Sequence, residues 1–407
     1  MMRVLGAIAF ALVLLSAAPA HASSSCDPDG TQATGSVYRI CLPDPQDYNG
    51  MLVVWAHGFQ DAGTPVGIPE DQLCIGTFCI PEIVNSLGFG FATNSYSKTG
   101  MAILQGKDDL LDLVNIYAAR MGTPPSKVYL VGASEGGIIT ALSLEQHSDV
   151  YSAGLAACGP IGDFPSQINY FGDARVTFEV FFPWHLIPGG VFSPDLNAIG
   201  DWAAFYDANV KPVVFAPANR SRLDSWVRVA HLPYDAGDYL NTVNVSVQDV
   251  LRYSVVNLAD ASATIGGFPF DNTKRLYTGS ANDLLLNLLI PRVAADPFAL
   301  ANMRANYNTT GILRRPLITL HTLRDQQVPY WHEPLYALKT LASGAFITRH
   351  LPIAIDRFEH CNFTPSEVLA SFAVMLFYDG IVPDVAGISA TAPQQQVLSA
   401  LKAKLHK

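Results

Sequence analysis

Charge is scarce in this chain. Of its 407 residues only 15% are Asp, Glu, Lys or Arg, and acids outnumber bases by 35 to 25, for a net charge of −10. No cluster of Lys and Arg occurs along it. Phosphate backbones and anionic membrane surfaces are held by such clusters, which argues against nucleic acid and against a charged lipid surface as partners. After the N-terminal stretch no apolar run reaches the roughly 20 residues that span a bilayer, so stable membrane insertion is not expected. Internal repeats and low-complexity tracts are absent, which excludes a solenoid. The composition is not that of a disordered chain either, because 49% of the residues are hydrophobic. A zinc site needs matched ligand pairs. Cys74 and Cys79 have no such second pair, so no metal is expected.

What is present begins at the N-terminus. Met1-Met2-Arg3 is a short positive segment, followed by about 15 apolar residues and then Ala20-His21-Ala22, a small-x-small pattern. This reads as a secretory signal over residues 1–22 and predicts a secreted or periplasmic protein. A lipoprotein anchor at Cys26 does not fit, because Ser23-Ser24-Ser25 stands where an aliphatic residue is wanted. The six cysteines are Cys26, Cys41, Cys74, Cys79, Cys158 and Cys361. An even number in an exported chain reads as disulfides. Six allow 15 connectivities. Local closure favours Cys26 with Cys41 and Cys74 with Cys79, leaving Cys158 with Cys361.

Apolar runs at 37–42, 51–56, 88–92, 127–131 and 152–157 predict strands, several of them buried on both faces as in a parallel sheet. Helical spacing is found at 107–120 and 136–147. Alternating strand and helix predict an α/β fold with a mostly parallel central sheet flanked by helices. The alternation stops at about Pro160 and resumes with a strand at 316–321. A last strand is predicted at 345–351 and a closing helix at 366–378. The intervening segment holds Trp184, Trp202 and Trp226 among many Phe and Tyr, with helical patterns at 248–259 and 297–307. The predicted organisation is therefore a body at 23–159 and 316–407, interrupted by a large cap insertion at 160–315.

Gly132-Ala133-Ser134-Glu135-Gly136-Gly137 carries the sharpest chemical signal. It is G-x-S-x-G directly after a predicted strand and before a predicted helix, the context of a nucleophile elbow. The glycines allow a tight turn that lifts the Ser134 hydroxyl off the sheet. The helix behind it brings N–H groups and partial positive charge, so the Glu135 N–H is a candidate oxyanion donor.

In these residues the chain resembles the α/β-hydrolase superfamily, as a secreted serine esterase-like member with a large cap insertion. The resemblance covers about 37–378 apart from the insertion. It implies a second oxyanion donor in the loop that follows an early strand with His-Gly, here His57-Gly58-Phe59, hence the Phe59 N–H. It implies the chain order Ser, acid, His. His321-Thr322-Leu323-Arg324-Asp325-Gln326-Gln327-Val328-Pro329 looks like the acid loop, and Asp325 is the candidate acid. Glu359-His360-Cys361, before the closing helix, is where the base falls, and His360 is the candidate. His321 and His350 are weaker candidates, one preceding the acid and the other inside a predicted strand. Glu359 departs from the small residue that many members have there. Tannase-like members tie a Cys beside the Ser to a Cys beside the His. Here Ala133 precedes Ser134, and Cys158 is the substitute that could hold Cys361.

The resemblance implies a carboxylic-ester hydrolase working through Ser134, His360 and Asp325 with no cofactor, on a small-molecule or polymeric ester. A prolyl-oligopeptidase-type peptidase lacks support, since no N-terminal β-propeller of about 300 residues is present. A secreted acyltransferase would keep the same residues. A binding module without activity would ordinarily have lost some of them. The aromatic content of the insertion suggests an apolar pocket over Ser134, although those rings could equally form the insertion's own core.

Overall fold

The computed structural model describes residues 25–75 and 78–381. The signal-peptide expectation for 1–22 lies outside them. Seven strands build the body: β1 (Val37–Leu42), β2 (Leu52–Ala56), β3 (Gly90–Asn94), β4 (Val128–Ala133), β5 (Ala153–Ala157), β6 (Leu317–Arg324) and β7 (His350–Phe358). They lie in the order β1-β3-β2-β4-β5-β6-β7. Only β1 runs antiparallel to its neighbour in this set, and every other pairing is parallel. Two-residue strands at Ser25–Cys26 and Gly30–Thr31 extend the sheet beside β1.

The helices that matter here are α1 (Ile80–Ser86), α2 (Ile103–Met121), α3 (Glu135–Gln146), α4 (Phe164–Phe181), α5 (Tyr239–Arg252), α6 (His332–Ala342) and α7 (Pro365–Tyr378). Successive strand residues face opposite sides, and the sheet uses both. Leu52, Val54 and Leu130 pack with α2, α3 and Tyr336 of α6 on one face. Val53, Trp55, Val131 and Leu155 turn to the other, toward Val84 of α1 and Leu369 and Phe372 of α7. That is why β2 and β5 read as unbroken apolar runs: all ten of their residues are buried.

Two predicted strands need correction. β3 begins two residues later than 88–92. The last strand is His350–Phe358, not 345–351, so Asp356, Arg357 and Phe358 lie inside it. Among the described residues β7 lies at the edge of the sheet, pairing with β6 and, through His350, making one isolated bridge to Phe346. An edge strand tolerates Pro352, which interrupts the apolar residues at 351–355, and shows partial exposure in place of continuous burial.

Among the described residues no strand joins the main sheet between Ala157 and Leu317. This segment is mainly helical and has a core of its own, in which Phe178, Phe182, Trp202, Tyr206, Trp226 and Val247 are buried together. α4 starts on Asp163, whose carboxylate accepts from the Ser166 N–H at 3.0 Å. After α5 the backbone widens into a π turn at Tyr253–Asn257 before the next helix, Leu258–Ile265. The helical pattern predicted at 248–259 thus belongs to a longer, interrupted helix.

Candidate active site

Parallel strands leave their C-terminal ends on one rim, and the loops there are the usual place for a site. Ser134 follows β4, Asp325 follows β6 and His360 lies two residues beyond β7. Ser134 has φ +57° and ψ −118°, a strained left-handed turn. The glycines around it are required by close approach. A Cβ at Gly136 would lie 2.0 Å from the Ala56 carbonyl oxygen, and one at Gly132 would lie 2.2 Å from the Gly136 oxygen. Only bare backbone lets α3 start so near β2.

The structure brings the three candidate side chains together. His360 Nε2 is 2.9 Å from Ser134 Oγ, and His360 Nδ1 is 2.7 Å from Asp325 Oδ2. Asp325 is fully buried, and its other oxygen accepts from the Gln327 and Val328 N–H groups at 2.9 and 2.8 Å. Burial alone would raise its pKa. Electrostatic attraction to the His360 and His321 rings and the hydrogen bonds they donate outweigh that and hold it well below the usual carboxylate range. Because Asp325 is ionised, the His360 proton must sit on Nδ1. Nε2 is then free to accept from the Ser134 hydroxyl, the tautomer that can activate a nucleophile.

His321 does not meet Ser134, but it belongs to the same cluster. It is fully buried, with Nε2 2.8 Å from the Val328 carbonyl and 3.3 Å from Asp325 Oδ2, and Nδ1 3.3 Å from Glu333 Oε1. Burial opposes its charge, yet hydrogen bonds to Asp325 and Glu333 push its pKa up to about 10. A buried imidazolium therefore backs the carboxylate that holds His360. His350 is remote from Ser134's partners, buried between Thr319 and Thr340, and burial lowers its pKa to about 4.

The loop after β2 is braced through His57. Its ring is buried, stacks on Tyr96 at 3.8 Å and has Nδ1 2.6 Å from the Gly58 carbonyl. Burial lowers its pKa to about 4, so it is neutral and shapes the turn. Gln72 clamps the same turn, accepting from the Gly58 N–H at 2.7 Å. Among the described residues neither the Phe59 nor the Glu135 N–H donates to another protein group. Gln326 plays a matching part for His360, accepting from its N–H at 3.0 Å. Nothing in the sequence marks Gln72, which reaches the turn from 14 residues away, and only adjacency to Asp325 marks Gln326.

Three disulfides are present: Cys26–Cys41, Cys74–Cys79 and Cys158–Cys361. The last ties the residue after β5 to the residue after His360, and Cys361 Sγ lies 3.4 Å from His360 Nε2. These two sulfurs and the imidazole form the one tight metal-ligand-like group among the described residues, but sulfurs joined to each other are not thiolate ligands. Cys158, Glu359 and Cys361 have φ of +46°, +90° and +51°, so His360 stands in a strained loop. Glu359, where the resemblance leads one to expect a small residue, takes a φ that glycine adopts more readily. Its carboxylate is exposed and meets Asn362.

Two cavities meet at Ser134. The larger, about 430 Å³, is lined mostly by the body of the protein, with only Arg252 and Tyr253 coming from the helical segment. The smaller, about 100 Å³, lies under that segment, against Phe164, Phe171 and Leu258. The expectation of an apolar pocket roofed by insertion aromatics therefore holds for the smaller cavity. Most of those rings serve the insertion's own core.

No protein-family profile matches the sequence, and no curated protein is similar to it. Among solved structures, an esterase from Aspergillus oryzae is similar with a TM-score of 0.50 at 13% identity, over 86% of this chain and 79% of that one. Candida antarctica lipase A in its closed state gives a TM-score of 0.46 at 17% identity, over 93% of this chain and 84% of that one. An esterase from Pyrococcus furiosus gives 0.42 at 11% identity, over 87% and 90%. The likeness is one of architecture: this chain has the α/β-hydrolase fold.

Proposed function

We propose that this α/β-hydrolase-fold chain is an exported serine hydrolase that cleaves carboxylic esters through an acyl-enzyme. One observation carries the reading: a hydroxyl, an imidazole and an ionised carboxylate joined in series at 2.9 and 2.7 Å on a strained elbow. In this reading His360 Nε2 takes the Ser134 proton as the oxygen attacks the ester carbonyl carbon. The C–O π pair moves onto oxygen, to which the Phe59 and Glu135 N–H groups donate hydrogen bonds. One such donor is worth about 2.7–4 kcal/mol of barrier. Collapse breaks the bond to the alkoxide, which takes the proton from His360. Water then repeats the sequence on the acyl-Ser134 and releases the acid. Asp325 keeps the imidazole in the needed tautomer and stabilises its charged form.

The proposal extends to residues 160–315 as a cap over the site. Export is supported by three disulfides, which persist in oxidising compartments. The chemistry calls for no cofactor, and the substrate is a small-molecule or polymeric ester. Ser134→Ala is expected to lower hydrolysis of p-nitrophenyl acetate by about a thousandfold or more, with the circular dichroism spectrum unchanged. Turnover retained in that variant ends the proposal.

A further inference from the structure

The larger cavity occupies an unusual place. It runs from Ser134 into the interface between the sheet and two helices, bounded by Val53, Val131 and Leu155 on the sheet side and by Ile83 and Phe372 on the helix side. These belong to the same packed face that otherwise forms solid core. Protein interiors are close-packed, with few voids larger than a water. An empty apolar void destabilises in proportion to its volume, and larger side chains on either wall would close this one. The volume, about 430 Å³, falls in the range of small-molecule pockets.

The distribution of polar groups gives the chemistry. Ser134, His360, Gln72, Gln327, Arg252 and Tyr253 carry the polar lining groups, together with the Trp55 indole N–H in the sheet wall, which has no partner among the described residues. The first two are the reacting pair, Gln72 clamps the turn before Phe59, and Arg252 is paired with Asp61. The sheet and helix walls contribute Val, Leu, Ile, Trp and Phe and no ionisable group. On the other side of Ser134 the second cavity is about four times smaller. Phe59 and Tyr253 line both, with ring centroids 5.8 Å apart. Tyr253 is fixed from behind by stacking on Phe171 at 4.8 Å and by donating to Gln327 Oε1 at 2.9 Å. The reacting centre thus stands at the junction of two apolar chambers of very unequal capacity.

We infer that the substrate is an ester with unequal arms: one medium-chain or aryl-alkyl apolar arm without an ionised group, which enters the sheet–helix chamber, and one short arm, which fits beneath the helical segment. This deepens the reading of Ser134 as an ester-cleaving nucleophile and rests on it. The long arm can be the acyl or the alcohol part, since each chamber touches Ser134 and Phe59.

The test compares kcat/KM of the wild-type protein for p-nitrophenyl acetate, butyrate and octanoate, and for ethyl acetate against octyl acetate. A rise of at least tenfold with length in the acyl series assigns the chamber to the acyl arm. The same rise in the alcohol series assigns it to the alcohol. Narrowing the chamber by Ile83→Trp is then expected to lower the long-to-short ratio at least tenfold in the responding series. Flat length dependence in both series overturns the inference while leaving the esterase reading intact, and it needs no variant to fold. Absence of hydrolysis of every ester overturns both. Retention of the wild-type ratio by a folded Ile83→Trp protein overturns the location.

Discussion

Glu135 combines two demands in one residue. Its N–H opens α3 beside Ser134, while its carboxyl is buried, with Oε1 accepting from the Ala102 N–H at 2.7 Å and Oε2 unpartnered among the described residues. Burial is the leading cause that pushes its pKa up to about 8, against lowering by Ala102 and Lys98. The folded protein therefore holds this proton more tightly than the unfolded chain does. That contribution to stability is whole below about pH 4.5 and shrinks as pH rises to about 8, beyond which it is lost. Glu135→Gln keeps the bond to Ala102 and removes the ionisation. The variant is expected to match the wild type in Tm near pH 4.5 and to exceed it by about 2 °C or more at pH 9. An equal Tm at both pH values would refute the buried-proton account. His321 likewise holds its proton more tightly in the folded protein, but as a buried cation kept charged by Asp325 and Glu333 against the cost of burial.

At the scale of elements, the position of His360 depends on what brackets it. On one side β7 ends at Phe358. On the other α7 begins with a reciprocal cap, Thr364 bonded to the Glu367 N–H and Glu367 to the Thr364 N–H. Glu367 also pairs with Arg357 at 2.8 Å, joining the end of β7 to the start of α7. Between these anchors lies the strained loop, and Cys158–Cys361 fastens it to the rim of β5. Replacing both cysteines by Ala is expected to lower kcat at least tenfold with a smaller change in KM, because the imidazole is then free to leave Ser134. Removing a native disulfide also typically costs about 2–5 kcal/mol of stability, so Tm is expected to fall as well. Stopped assays on short esters and a melting curve check both halves, and an unchanged kcat would reduce the bridge to a purely structural part. The elements that were legible in the sequence are those whose residues decide their own environment. β2, β4 and β5 show as apolar runs because both of their faces are covered, and the elbow shows because its glycines are forced by contact. β7 reads less plainly because Pro352 interrupts its apolar residues at 351–355, as only an edge strand tolerates, and the strand is only partly buried. Gln72 and Glu333 were invisible because only the folded chain carries them to the residues they serve.

At the scale of the whole molecule, the body and the helical segment divide the work of burial. The body packs two apolar layers against its sheet, and the segment closes a third core around Phe178 and Trp226. The number and hydrophobicity of the segment's rings were plain from the sequence. Their partners were not, since composition does not say which ring faces a cavity and which faces another ring. The sheet–helix chamber was equally hidden, because a void is a property of opposing walls that are distant in the chain.

The Cys158–Cys361 bond has a further consequence for chain integrity. Its two sulfurs are 203 positions apart, and the whole helical segment is looped between them. Leu276, in a stretch of that loop with no helix or strand, is exposed, and exposed irregular segments are where proteases cut. A single scission there leaves an N-terminal and a C-terminal piece that still share one covalent bond, with Ser134 on the first and Asp325 and His360 on the second. The clipped protein is expected to migrate as one band on an unreduced denaturing gel and as two after thiol treatment. Two bands without reductant would disprove the link. A molecule cut in this way would remain one molecule for as long as its surroundings stay oxidising.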